Sequence, residues 1–386
     1  MSIKGFLGEI TGARGLASRR MLTTGVPPSR RLARLYGLGT ALPATSSPQS
    51  TVMRFMTATA RASFGEEGAR AAPLIERLYS ASGIERRHSV LTDYAQDDPA
   101  SFEFYPKNKT LEPFPSTARR MEAYGREAPP LAETAARAAL ARSEFSAQEV
   151  THLVFTTCTG FFAPGPDLLM VARLGLRADV SRTQVGFMGC YAGFNAMKLA
   201  GAFIAADPEA VVLVVSVELC TLHFQKRLQP EFLVANSLFA DGAAAAVFAA
   251  PDARRGGLAD LAATHGSVAP GSLNQMSWRI GDTGFEMSLD RRVPDTIRAH
   301  APAFVAEFLA RTGLAREEVR RWAPHPGGRR IVSALADALE LDDVATRSSR
   351  GVLADCGNMS SATIFFVLER EFARGGTGPL MALGFG

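Results

Sequence analysis

The chain is poor in the residues that build metal centres and disulfide frameworks. Only four cysteines occur in 386 residues, at 158, 190, 220 and 356, with no CxxC pair and no other metal-ligand spacing. Isolated thiols in apolar surroundings read as reduced cysteines of a cytoplasmic protein, not as staples of a secreted one. Long hydrophobic runs are missing too. No stretch approaches the roughly 20 apolar residues that cross a bilayer, so no stable membrane insertion is expected. An excess of one charge is nearly absent: 42 Lys and Arg against 38 Asp and Glu leave +4. The arginines are spread along the chain, which gives nucleic-acid binding little footing. What is present is a hydrophobic content of 47%. The length exceeds one ordinary core and points to two domains or a duplicated one.

Residues 1–34 carry Arg14, Arg19, Arg20, Arg30, Arg31 and Arg34 against a single Glu9. They lack the continuous apolar core of a secretory signal and read as a flexible basic extension, or as the product of a start codon placed too early. The segment 33–39 reads as a first strand. Residues 50–135 are mostly helical and polar, with a loop-like centre near 105–109. A basic run within them holds Arg77, Arg86 and Arg87, which fits a solvated helix face or a docking site for an anionic tail. Strand and helix signals then alternate: a strand at 151–157, a helix at 166–176, a strand at 185–188, a helix at 191–206 and a buried strand at 211–217. This is α/β patterning with short connections. The stretch 251–257 reads as the join between two halves, 35–250 and 251–386.

Cys190 lies between a strand at 185–188 that reads as buried and a helix at 191–206 that is apolar on nearly every face and reads as buried all round, with Gly189 and Gly193 beside it. A strand turning sharply into a helix places the thiol at a helix N-terminus, where free N–H groups favour the thiolate. A buried core cysteine is the bland alternative. The turn context favours a nucleophile.

An internal repeat extends the argument. The run from Leu140-Ala141-Arg142 to Glu149-Val150 resembles the run from Leu309-Ala310-Arg311 to Glu318-Val319, offset by 169 positions. The same offset sets Thr156 opposite His325, and Cys190 opposite Met359, the neighbour of Asn358. A pseudo-twofold axis would bring these strand ends into one cleft, where α/β sheets tend to place ligands. His325 is wedged between Pro324 and Pro326 and followed by Gly327-Gly328, which fixes its backbone and leaves room for a close approach. His88, His152, His223, His265 and His300 read as structural. A thiolate beside an imidazole forms an ion pair, and an amide orients a carbonyl oxygen.

The set GFMGCYAG around Cys190, LFADGAAA at 238–245, HPGG at 325–328 and GNMSSA at 357–362 resembles the type III polyketide synthases, the chalcone-synthase-like branch of the thiolase superfamily. The resemblance runs from about residue 35 to the C-terminus. It implies an α/β chain of the thiolase fold, a duplicated five-layer α/β/α/β/α arrangement, acting as a homodimer with no metal and no bound cofactor. It further implies that Cys190 takes an acyl group from an acyl-CoA. His325 and Asn358 then hold a malonyl-CoA thioester carbonyl during loss of carbon dioxide. Phe239 matches the family's gatekeeper aromatic, and Arg77, Gly327 and Gly328 match CoA-contacting positions.

Departures from the pattern shape the rest of the expectation. The second gatekeeper Phe falls on Met287, plant enzymes have Thr at Cys220, and Trp278 stands where they keep a glycine. Two of three basic CoA-contacting positions are occupied by Leu74 and Ala81. The chain ends at Gly386 where the family continues through Pro-Gly, which implies a truncated sequence or an altered back wall. The expected activity is extension of an aliphatic acyl-CoA starter by malonyl-CoA, closing to an alkylpyrone or alkylresorcinol. A single-step ketoacyl synthase III-like enzyme and a non-catalytic thiolase-fold scaffold are the alternatives.

Overall fold

The computed structural model describes residues 32–386; expectations about the basic N-terminal extension up to residue 31 fall outside the described residues. Strand β1 (Ala33–Ala41) opens the chain. A short antiparallel pair, β2 (Ser46–Pro48) and β3 (Arg86–His88), brackets the long helix α1 (Gln49–Ala81), which is broken at Gly65. Helix α2 (Thr117–Ser143) follows, capped by the Ser116 hydroxyl accepting from Arg119 N–H. Then come β4 (His152–Thr157), α3 (Pro166–Leu174), β5 (Ser181–Gly186), α4 (Ala192–Ala206), β6 (Val212–Leu219), α5 (Pro230–Leu238), β7 (Asp241–Ala249) and β8 (Ala259–Leu261). The remaining elements are the hairpin β9 (Met276–Gly281) and β10 (Gly284–Leu289), then α6 (Val293–Thr312), β11 (Arg321–Pro324), α7 (Arg329–Leu339), α8 (Asp343–Cys356), α9 (Thr363–Ala373) and β12 (Leu380–Leu383).

Six strands form one sheet in the order β5-β4-β6-β7-β1-β8. Strand β4 runs parallel to β5 and β6, while β7, β1 and β8 continue the sheet antiparallel. The central strands β6 and β7 are buried along their whole length, as strands covered on both faces must be. On one face lies α2, whose alanines at 128, 132, 135, 136 and 139 are fully buried. Gly37 and Gly39 of β1 let it come this close: a Cβ at either would sit 2.1–2.3 Å from the Ala139 and Ala135 carbonyl oxygens. On the other face lie α4 and α9. Phe365 of α9 is fully buried there and contributes about 2–3 kcal/mol. Beyond them comes the parallel pair β11–β12, and α6 and α7 close the outside over Trp322, Met381 and Leu383. The layers therefore run α/β/α/β/α.

The repeat offset is visible in the elements themselves. Helices α2 and α6 end at Ser143 and Thr312, and the strands that follow begin at His152 and Arg321, each pair 169 residues apart. A 3-10 turn precedes each strand, and in each a glutamate reaches back to a backbone N–H: Glu149 to Ser146 and Glu318 to Ala315. The halves are interleaved, because β8 lies beyond residue 251 yet pairs with β1.

Two local expectations are corrected. The strand before Cys190 lies at 181–186, not 185–188. It is an edge strand with exposed side chains because only β4 pairs with it. Helix α4 is buried on one side only, and Lys198, Ala202 and Ala205 are exposed.

Candidate active site

Strand β5 ends at Gly186, and the chain turns through Phe187 (φ 52°) and Gly189 (φ 69°). Cys190 sits in the single 3-10 turn Gly189–Tyr191 that leads into α4. Glycine is required at 189: its φ is left-handed, and a Cβ would stand 3.2 Å from the Gly386 backbone. The Cys190 residue is partly buried. Burial pushes its thiol up to about 11; the Ser360 hydroxyl draws it down, the Glu218 carboxylate pushes it up, and the Asn358 amide draws it down. Burial therefore opposes the thiolate that the helix end was expected to favour. A helix end is worth about 0.3–1 kcal/mol, under one pKa unit, whereas burial moves a thiol by several.

Asn358 enters from the other half of the chain. Its backbone pairs in parallel with Phe239: Asn358 N–H donates to Leu238 O at 3.0 Å, and Ala240 N–H donates to Asn358 O at 2.8 Å. The side chain is clamped at both ends. Its Nδ2 donates to Gly327 O at 3.2 Å, and its Oδ1 accepts from Ser360 N–H at 2.9 Å. Such a clamp leaves one amide hydrogen for a further acceptor.

His325 follows directly on β11 and is 1% exposed. Its backbone N–H donates to Leu383 O at 2.7 Å, and both ring nitrogens are buried without a protein partner. An unpartnered buried polar atom costs about 1–3 kcal/mol, so such groups call for a functional account. Burial lowers the His325 pKa to about 4, making the resting imidazole neutral. Burial of both groups works against the expected thiolate–imidazolium pair. Gly327 ties the set together, since its carbonyl takes the Asn358 amide and a Cβ added to it would stand 3.7 Å from the His325 ring.

A cavity of about 540 Å³, including its open mouth, lies beyond Phe239. Cys220, Phe239, Trp278 and Met287 all line it, so the four residues expected in the pocket are brought together. Met287 stands directly opposite Trp278 across the β9–β10 hairpin. The Trp278 indole donates to the Cys158 carbonyl and packs edge-on against Phe285 and His223. His223 also lines this cavity. It is locked as a neutral imidazole: Nδ1 accepts from Phe285 N–H, Nε2 bonds to Thr159 O, and burial lowers its pKa to about 3. Its structural reading is thereby physically explained.

The basic run on and after α1 divides. Arg77 is exposed, whereas Arg87 is buried and lines the cavity, donating to Asn236 O and Phe239 O at 2.7 and 2.9 Å. Arg87 is therefore not a surface docking group. Leu74 is turned toward the core, and Gly327 and Gly328 are buried between Leu238 and Ile331. Sequence reasoning passed over Ser360, although it quoted the motif containing it, and Glu218. The Glu218 carboxylate ends an all-buried strand, accepts from Cys158 N–H and Thr159 Oγ1 at 2.9 Å and from Ser361 Oγ, and is pushed up to about 7 by burial. A charge closing an apolar strand was the signal. Among the described residues no three His, Cys, Asp or Glu are grouped to hold a metal ion.

Comparison with known proteins covers most of the chain. The family models for the N- and C-terminal domains of chalcone and stilbene synthases match residues 25–252 and 260–375. A 1,3,6,8-tetrahydroxynaphthalene synthase of Streptomyces peucetius is 40% identical over 263 residues, 66% of this chain and 70% of that one. Type III polyketide synthase 21 of Oryza sativa is 32% identical over 88% of this chain and 86% of its own. Among solved structures, PKS-I of Ectocarpus siliculosus superposes with a TM-score of 0.82 at 29% identity, covering 89% of each chain. The tetrahydroxynaphthalene synthase of Streptomyces coelicolor gives 0.77 at 30% identity, covering 89% and 92%. The shared architecture is the five-layer thiolase fold.

Proposed function

Because the chain belongs to the chalcone and stilbene synthase family, the type III polyketide synthases, we propose that it loads an aliphatic acyl-CoA on Cys190, extends it with malonyl-CoA and closes it to an alkylpyrone or alkylresorcinol. Family members are CoA-dependent acyltransferases that catalyse decarboxylative condensation. The observation that supports the residue roles is the Asn358 amide held on the Gly327 carbonyl of the His325 loop, next to a His325 ring with no protein partner and beside a largely apolar cavity.

Each step follows from the protonation states. A neutral His325 accepts the Cys190 proton as sulfur attacks the acyl thioester, and the departing CoA thiolate takes that proton away. With Cys190 acylated, a ring N–H of His325 and the free Asn358 amide hydrogen donate to the malonyl thioester oxygen. Carbon dioxide leaves, and its bonding electrons form an enolate whose oxygen those donors stabilise. The enolate carbon then attacks the Cys190 thioester. Phe239 and Met287 keep water from the carbanion, and the thioesters supply the leaving groups, so no bound cofactor is required. Arg77 and the Gly327-Gly328 passage receive the CoA portion.

Cys220, Met287, Met56 and Val52 support the aliphatic starter, because each buried methylene gains about 0.8 kcal/mol. Arg87 on the cavity wall favours a second reading, a malonyl starter and a hydroxylated naphthalene product; the Streptomyces peucetius relative is named a 1,3,6,8-tetrahydroxynaphthalene synthase. Product masses from malonyl-CoA alone, and from malonyl-CoA with decanoyl-CoA and coumaroyl-CoA in competition, test both. Dominant alkylated products support the first. Naphthalene-type products from malonyl-CoA alone establish the second, and a single two-carbon extension points to a ketoacyl synthase. The chain acts as a homodimer: Phe161, Leu168, Leu169 and Met188 are exposed near the free edge of β5. A catalytically active monomer in sedimentation would overturn this.

A further inference from the structure

The polar lining of the cavity beyond Phe239 is satisfied almost everywhere. Tyr94 Oη donates to Thr221 O, Ser89 and Thr221 share a hydroxyl contact, Asn236 donates to Gln225 O, and both ring nitrogens of His223 are engaged. Among the described residues, two buried atoms of this lining have no hydrogen-bond partner: Ser47 Oγ and Arg87 Nε. Their residues are 3% and 5% exposed. Leaving buried donors unpaired is costly, and the same signature marks His325 in the catalytic loop.

The two orphans belong to one feature. Ser47 and Arg87 are directly opposed in the β2–β3 pair, so their side chains leave the ladder on the same face, at the cavity wall. Arg87 is held there from the catalytic side. Its Nη1 donates to Asn236 O and Phe239 O, and a Cβ added to Gly357, the neighbour of Asn358, would stand 3.3 Å from Arg87 Cγ. The Asp241 carboxylate accepts from Val90 N–H, Thr221 N–H and Thr221 Oγ1 instead. The cavity is thus offered an N–H on a cation and, across the ladder, a hydroxyl.

We infer that Ser47 and Arg87 form a binding site for the β-dicarbonyl group of the extended chain, holding it as its enolate. The inference rests on the extension by malonyl-CoA proposed above. A fatty acyl starter carries no oxygen beyond its thioester, whereas each condensation adds a carbonyl two carbons along and pushes the older ones deeper into the cavity. The carbon between two carbonyls gives up a proton to water at the cavity mouth, and its electron pair is shared by the two oxygens, which the guanidinium N–H and the hydroxyl then meet. A carboxylate on the starter would offer the same anionic oxygens. It would have to shed its water to enter an apolar cavity, whereas a diketone enters uncharged and ionises beside the cation. A chain gripped at this corner stays extended, so the pair favours a further condensation over early ring closure.

The test measures binding without turnover. Calorimetry and near-ultraviolet absorbance compare octanoylacetone, a β-diketone, with methyl nonyl ketone and undecanoate, the monoketone and carboxylate of equal length. The full chain, Ser47→Ala and Arg87→Lys are the proteins. The parent is expected to bind octanoylacetone about tenfold more tightly than the monoketone, with an enolate band appearing on binding. Ser47→Ala removes a hydroxyl that bonds to nothing in the protein and should shrink that preference about fivefold. Arg87→Lys should abolish the enolate band. Equal affinities for diketone and monoketone in the parent overturn the inference, as does an unchanged preference in Ser47→Ala. A preference for undecanoate that Ser47→Ala removes also overturns it and assigns the pair to a starter carboxylate. Equal weakening of all three probes in both variants marks a structural role and has the same effect. An enzyme that binds octanoylacetone as expected, yet makes no extended product from decanoyl-CoA or malonyl-CoA, refutes the reading of the donor and leaves the pair standing.

Discussion

Met287 and Trp278 are directly opposed residues of one hairpin, projecting from the same face of β9–β10 into the cavity. The two positions expected to depart from the plant pattern are therefore neighbours on one wall of the cavity.

The pair gives the first prediction. Trp278→Gly should lengthen the longest accepted acyl chain, at a stability cost of about 2–3 kcal/mol because the indole is only partly buried. Met287→Phe alone should shorten it. The double variant should recover more than the sum of the two effects, since contacting residues do not act additively. Additive chain-length profiles from the four proteins would contradict the coupling.

A second prediction concerns the nucleophile. With its thiol raised to about 11, Cys190 should react with iodoacetamide at a rate that climbs about tenfold per pH unit between pH 6 and 9. It should still react ahead of Cys158, Cys220 and Cys356, which are buried with thiols also pushed up. Cys190→Ala should abolish acyl loading and leave the circular dichroism spectrum intact. A labelling rate flat from pH 6 to 8 would restore the thiolate–imidazolium pair.

The partners of Cys190 should separate by step. Asn358→Ala removes a donor to the enolate oxygen and should lower malonyl-CoA decarboxylation by about 10²–10³ while starter acylation continues. His325→Ala should depress both steps, because the imidazole also takes the thiol proton. Mass spectrometry of the acyl-enzyme and release of labelled carbon dioxide distinguish them. Equal loss of loading in the two variants would refute the division.

The positions of His325, Asn358 and Cys190 at strand ends were legible because proline and glycine fix the backbone around them, and that constraint is written locally; the roles expected of them came from the family resemblance. The exposure of β5 was not, since a strand's second neighbour is set by residues far away in sequence. Nor was the state of the thiol. Its pKa answers to how much of the other half covers it, and no pattern around Cys190 states that. The opposition of Met287 and Trp278 depended on a hairpin register that the intervening Asp282 and Thr283 alone do not specify.

Glu218 supports a stability prediction. Burial raises its carboxyl from 4.5 to about 7, so the folded chain holds a proton that the unfolded chain releases. Its contribution is full below about pH 4.5 and is lost as pH rises through 7, on the order of 3 kcal/mol. Glu218→Gln cannot ionise and should flatten the fall in Tm between pH 5 and 8. Calorimetry showing an unchanged slope would assign the pH response elsewhere.

The pairing of β8 with β1 bears on how such enzymes are recombined. Ala259, Asp260 and Leu261 cover an edge that belongs to the first half of the chain, and Arg34 reaches across to Asp260 at 2.6 Å. A chimaera joined at the 251–257 turn would import a foreign strand onto that edge and strand Arg34 without its carboxylate. A crossover placed after residue 261 keeps the native seam, so a donor segment can be exchanged for its cavity wall without disturbing the sheet that positions the cysteine.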